Sequence, residues 1–199
     1  MKSIIFIHIP KTAGTAFYNA IATGIEPYTM VRPKGLRHFA VHACPKPAFV
    51  RGHIPYGFHY FKPLQGFDYI SFFRDPIKRA VSHYYFVLEA KYEGYEHPEW
   101  QRHHQTALKD IFNNHQKRGF ADLQDNLQTR MLAGVYWGFQ RNKSDKKMLE
   151  VAKSNLSHRV KAFGIQEDFE RSVEVFAKTF GWHTTLEIGD NWQKPNINL

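Results

Sequence analysis

One cysteine in 199 residues, Cys44, excludes an internal disulfide and any metal site built from paired thiolates. A solitary thiol of this kind is expected to pack as a small apolar side chain. No apolar run approaches the eighteen or so residues of a membrane-crossing helix. The N-terminal run Ile4–Ile9 contains His8 and stops at Pro10-Lys11, not at a small-residue cleavage site. The expectation is a soluble, non-exported, cytoplasmic protein. Zinc-finger spacing, an H-E-x-x-H pattern and runs of five basic residues are also missing, and adjacent His103 and His104 do not share a helix face. No metal, nucleic-acid or membrane partner is therefore expected. Repeats, low-complexity stretches and linkers are absent too, so residues 1–199 read as one domain.

Positive charge is what the chain has in excess. Lys and Arg number 27 against 18 Asp and Glu, a formal net charge of +9, with a pI near 9.6. Such a balance calls for an anionic partner. Arg102-His103-His104 and Gln116-Lys117-Arg118, near Trp100 and Phe120, are candidates for a sugar-chain groove. An exposed basic surface is the favoured reading of them. Lys143–Lys147 reads as a solvated helix start.

The segment Ile4–Thr15, IIFIHIPKTAGT, joins a β-branched apolar run to a turn and then to helix-compatible spacing from Ala16. Backbone N–H groups at a helix start carry about half a positive charge, and Lys11, Thr12 and Thr15 add donors beside Gly14, which permits close approach. The turn is P-loop-like without being a Walker A motif, since the first glycine is missing and the lysine precedes the remaining one. A second strand-to-helix joint follows at Asp68–Phe73 and Arg74-Asp75-Pro76. Asp75 suits an N-cap and Pro76 the first helical position, which puts Arg74 at the strand end and Ser82 about two turns into the helix.

In this order and spacing, PKTAGT and the R-D-P-x-x-R-x-x-S pattern from Arg74 to Ser82 resemble the donor-binding signature of sulfotransferases that use 3′-phosphoadenosine 5′-phosphosulfate (PAPS). The resemblance implies that Lys11, Thr12, Ala13, Gly14 and Thr15 grip the 5′-phosphosulfate, and that Arg74 and Ser82 grip the 3′-phosphate. Two anion sites suit such a donor. Asn126–Gly134 and Phe163–Ser172 look like segments of the carbohydrate branch, and with Arg51–Gly57 the likeness is greatest to heparan sulfate 2-O-sulfotransferase-like enzymes. It implies PAPS as donor, its desulfated product PAP, no metal, and a hydroxyl-bearing acceptor, expected to be a saccharide.

In-line sulfuryl transfer needs charge neutralisation on the leaving oxygen, which Lys11 suits, and a base for the acceptor proton. His53 is chosen as that base: it follows a strand in a loop constrained by Gly52 and Pro55, and it matches the catalytic histidine of the carbohydrate 2-O enzymes. His59 and Glu89 stand in reserve, and His8, inside an apolar strand, reads as a buried hydrogen-bonded residue. Arg130 reaches acceptor or donor, or else forms a helix-surface salt bridge; with His59 it completes the substrate-binding candidates. Phe163 and Trp192 are the aromatics available to adenine, and Tyr84, Tyr85 and Phe86 read as core or cofactor wall. Two other readings stay open. One is a P-loop-type kinase using ATP, against which the missing glycine and magnesium ligands speak; the other is a non-catalytic polyanion-binding protein.

Strands are expected over 4–9, 27–31, around 49–53, 68–73 and 160–165, with helices over 14–23, 76–92, 106–116, 122–133, 145–154 and 167–180. A His-rich insertion occupies about 93–106. Alternation of this kind predicts an α/β, P-loop-like three-layer sandwich with a central, mostly parallel sheet.

Overall fold

The computed structural model describes residues 1–33, 44–60, 64–92, 95–113, 125–134 and 146–184. Lys117, Arg118, Phe120, Lys143 and Trp192 lie outside the described residues. In chain order the elements are β1 (Ile4–Ile7), α1 (Gly14–Ile21), β2 (Thr29–Val31), β3 (Ala48–Gly52), β4 (Asp68–Phe73) and α2 (Pro76–Glu89). Then come β5 (Lys91–Tyr92), β6 (Tyr95–Glu96), α3 (Trp100–His104), α4 (Leu108–Asn113), α5 (Leu127–Ala133), α6 (Lys146–His158), β7 (Val160–Ile165) and α7 (Phe169–Phe180).

Five of the strands form one parallel sheet in the order β2-β3-β1-β4-β7. All four β1 side chains are fully buried, because both sheet faces are covered. Ile5 and Ile7, with Val50 and Tyr69, pack against Leu127 and Met131 of α5 and Ala152 of α6. Ile4 and Phe6, with Phe49, Ile70 and Phe72, meet Phe17 and Ile21 of α1 and Val173 and Phe176 of α7. That period-two division produces the three layers, and each fully buried side chain contributes about 1.5–3 kcal/mol. Central β1 is followed by a connection to the β2/β3 side, whereas β4 leads to the β7 side. The carboxyl ends of β1 and β4 thus flank the topological switch point, where such sheets bind ligands.

Several boundaries differ from the sequence reading. β1 ends at Ile7, since the Ile9 N–H turns back to the Ile7 carbonyl at 3.1 Å. Helix α2 ends at Glu89 instead of 92, and β5 and β6 pair as an antiparallel hairpin closed by the His97 N–H on the Ala90 carbonyl. The segment read as an insertion contains helix α3, packed on α2. Helix α6 continues to His158, four residues beyond the expected end. Cys44 is half-buried against the apolar cluster, and burial pushes its thiol pKa up, as suits a packing residue. Among the described residues no helix is long and apolar enough to cross a membrane.

Candidate active site

The loop after β1 turns without glycine in its left-handed positions. Lys11 and Ala13 have φ of 67° and 65°, with Thr12 between them at negative φ. Such residues in the left-handed region cost about 1–2 kcal/mol each and occur where structure demands them. Alternating hand is the pattern that aims successive amides into one concavity. Helix α1 follows with no side-chain cap on its first turn, so its leading N–H groups are left for another acceptor. By contrast, the Asp75 carboxylate accepts from Lys78 N–H at 2.8 Å and caps α2. The start of α2 is therefore closed to an anion, and what the second joint offers is side chains.

Arg74 reaches back across the switch point, its Nη1 donating to the Lys11 carbonyl at 3.3 Å while its buried Nε has no hydrogen-bond partner. Lys11 Nζ lies 4.3 Å from the centre of the Phe86 ring. Its pKa is lowered by burial and then by Arg74, with Glu89 opposing. An anion seated between Lys11 and Arg74 would favour the charged lysine and so oppose that depression. Ser82, Phe86 and Glu89 recur at helical spacing along α2, so half-buried Ser82 lies one turn from the ring beneath Lys11.

The strand before the third loop carries a residue that sequence reasoning left without a role. Arg51 is 9% exposed on β3, donates from Nη2 to Thr15 Oγ1 at 3.3 Å, and stacks its guanidinium over Tyr18 at 4.3 Å. An arginine ending the apolar run Ala48–Val50 was the available signal, since a charge is buried only with a partner or a ligand. Two residues on, His53 is exposed and its Nδ1 lies 2.8 Å from the His8 carbonyl. A carbonyl only accepts, so Nδ1 carries the proton and the neutral ring keeps its lone pair on Nε2. The His8 ring is half-buried 4.9 Å from that of His53, and its pKa is lowered to about 3, first by burial and then by the His53, Arg51 and Arg32 charges. It stays neutral.

Two readings change, those of the Thr12 hydroxyl and the Arg130 bridge, and Gly14 gains a second role. Thr12 is fully buried and its hydroxyl donates to the Ile9 carbonyl at 2.9 Å, so only its backbone remains for a ligand. Gly14 is required by its neighbour: a Cβ there would collide with the His8 imidazole. Arg130, 5% exposed, pairs with Asp125 at 3.1 Å, which is a buried bridge and not a surface one. The α5 residue that meets the site is Gln128, whose amide accepts from the Arg74 N–H at 3.0 Å and donates to the Arg74 carbonyl at 2.7 Å. Glu167 similarly accepts from the Asp75 N–H at 3.1 Å.

His59 belongs elsewhere. Its Nδ1 and backbone N–H both meet the hydroxyl of Tyr69, which lies near the amino end of β4, whereas Lys11 and Arg74 follow strand carboxyl ends. It lines a cleft of about 410 Å³ with Lys2, Tyr69 and Arg159, beside a cavity of about 830 Å³ between Tyr56, Gly134 and α6. Neither contains Lys11, His53 or Arg74. His103 is fully buried and lines no surface groove, while Arg102 and His104 are exposed. Tyr84 is buried, and Tyr85 and Phe86 are 48% and 42% exposed. Phe163 is 44% exposed and sits edge-on to Phe73.

A family model described as the sulfotransferase family matches residues 1–192. The chain belongs to that family, and sulfuryl transfer is its reaction class. No curated protein matches it.

Proposed function

We propose that the chain transfers the sulfuryl group of PAPS directly to a hydroxyl of a saccharide, in the manner of the heparan sulfate 2-O-sulfotransferase-like branch. The loop from Lys11 to Thr15 receives the 5′-phosphosulfate and Arg74 with Ser82 the 3′-phosphate. Carrying this reading is the approach of Arg74 Nη1 to the Lys11 carbonyl at 3.3 Å, which brings together the two distant sequence segments that a doubly anionic donor requires. As the acceptor oxygen bonds to sulfur, its proton passes to His53 Nε2, and the bond from sulfur to the bridging phosphate oxygen breaks with Lys11 neutralising the charge left there. PAP leaves as product. The neighbouring histidine, held neutral, does not compete as a cation.

The test is incubation of purified protein with labelled PAPS and a panel of glycans and small alcohols, alongside thermal melts. PAP is expected to raise the melting temperature well below millimolar concentration, where ATP and short oligonucleotides do not. His53→Ala is expected to lose about 10²–10⁴ of the transfer rate. Magnesium-dependent ATP turnover, or a His53→Ala variant as active as the parent, defeats the proposal.

A further inference from the structure

Helix α2 also packs against α3. There His83 of α2, Glu99 at the start of α3 and His103 one turn later each offer one ligand atom, all within 4.8 Å of one another. His103 is fully buried and His83 is 6% exposed. Neither ring nitrogen of His83 has a hydrogen-bond partner, and its Nε2 stands 3.8 Å from Glu99 Oε2, beyond hydrogen-bond range. An imidazole buried in this way costs about 1–3 kcal/mol for each unsatisfied group, so a missing partner is indicated.

The chemistry of the partner follows from the lone pairs. His103 Nδ1 lies 3.0 Å from the Glu99 backbone carbonyl, which fixes the proton there and leaves Nε2 as an electron-pair donor. An ionised Glu99 carboxylate only accepts, so its oxygen offers lone pairs and no proton. Two imidazole nitrogens and one carboxylate oxygen therefore converge, all electron-pair donors. This is the donor set of a three-residue zinc site with one open position.

We propose that His83, Glu99 and His103 bind a zinc ion, with water as fourth ligand on the partly exposed Glu99 side, and that the ion fastens residues 95–113 to α2. Zinc bonds of about 2.0–2.2 Å set tetrahedral donors roughly 3.3 Å apart, a closure within reach of side-chain rotation. The absence of H-E-x-x-H argued against a metal because the three ligands come from two helices. Within α3 only the Glu99–His103 spacing of four hints at them.

Full-length protein stripped with a chelator is titrated with cobalt(II), then zinc(II), with thermal melts in parallel. One equivalent of cobalt is expected to bind with the visible absorption of a four-coordinate ion, zinc to displace it, and zinc to raise the melting temperature reversibly. His83→Gln, Glu99→Gln and His103→Gln are each expected to weaken zinc by more than the roughly 10–100-fold that loss of an outer-shell partner costs. His104→Gln is the control, since His104 is exposed and stacked on Trp100 at 4.5 Å. Absence of stoichiometric binding by the unmodified folded chain, binding that survives the paired His83→Gln and His103→Gln changes, or iron(II) preferred over zinc overturns the proposal. The chelator arm needs no variant to fold.

Discussion

Acidification is expected to destabilise this chain through His8. Its half-buried imidazole abuts Gly14 and the His53 ring, and its pKa falls from 6.5 to about 3 through burial and the His53, Arg51 and Arg32 charges. Between those two values the unfolded chain takes a proton at His8 that the native chain refuses. The unfolded state thus binds more protons, and stability falls as pH drops from about 6.5 toward 3. At 1.36 kcal/mol per pK unit the whole shift corresponds to at most ~5 kcal/mol, and partial exposure with salt screening reduces the expectation to ~2–3 kcal/mol. Urea unfolding of the parent and of His8→Leu at pH 7, 5.5 and 4 isolates this contribution from the other titrating groups. His8→Leu keeps the backbone carbonyl that holds His53, and its stability should decline less steeply with acid by that amount. Parallel pH curves for the two proteins, or a His8 ring resonance titrating near 6.5, would refute the reasoning.

Three further outcomes are expected. Gln128→Ala strands the Arg74 N–H and C=O, costing about 1–3 kcal/mol and weakening PAP binding by calorimetry; unchanged PAP affinity would mean that Arg74 holds its place without the amide. Gly14→Ala forces a methyl group onto the His8 ring, and a loss of about 1–3 kcal/mol in urea unfolding is the measure; no loss would show that the ring moves aside freely. Ser172→Ala removes a buried hydroxyl that accepts from Ile165 N–H at 2.8 Å and donates to the Asp168 carbonyl at 2.7 Å, and should lower stability by about 1–3 kcal/mol; an unmoved midpoint in urea would show that water replaces it.

Strands β4 and β7 were legible to the residue because apolar, β-branched stretches there end at abrupt polar joints, and α2 was announced by Asp75-Pro76. The positive φ of Lys11 and Ala13 was invisible, since sequence signals that conformation through Gly or Asn. Gly14 has a second requirement that sequence does not show: its missing Cβ makes room for a residue six positions earlier, a tertiary fact. His59 and Arg130 carried no periodic context that could tell a sheet edge or a buried ion pair from a ligand site. Gln128 lies inside the Asn126–Gly134 segment, but its double contact with the Arg74 backbone depends on how α5 docks beside β4.

The sheet order also governs when the proposed anion site can exist during synthesis. β1 pairs with β3 and β4, the Ile4 register partners being Phe49 and Asp68, and β4 is flanked by β7 from residue 160 onward. High contact order of this kind folds slowly, because chain closure must precede its reward. A nascent chain displaying the Lys11 turn has no Arg74 opposite it, and one that displays both still lacks Glu167 under Asp75. If the chain binds PAP as proposed, that binding requires nearly the whole polypeptide to have assembled, and a fragment ending before β7 is not expected to show it.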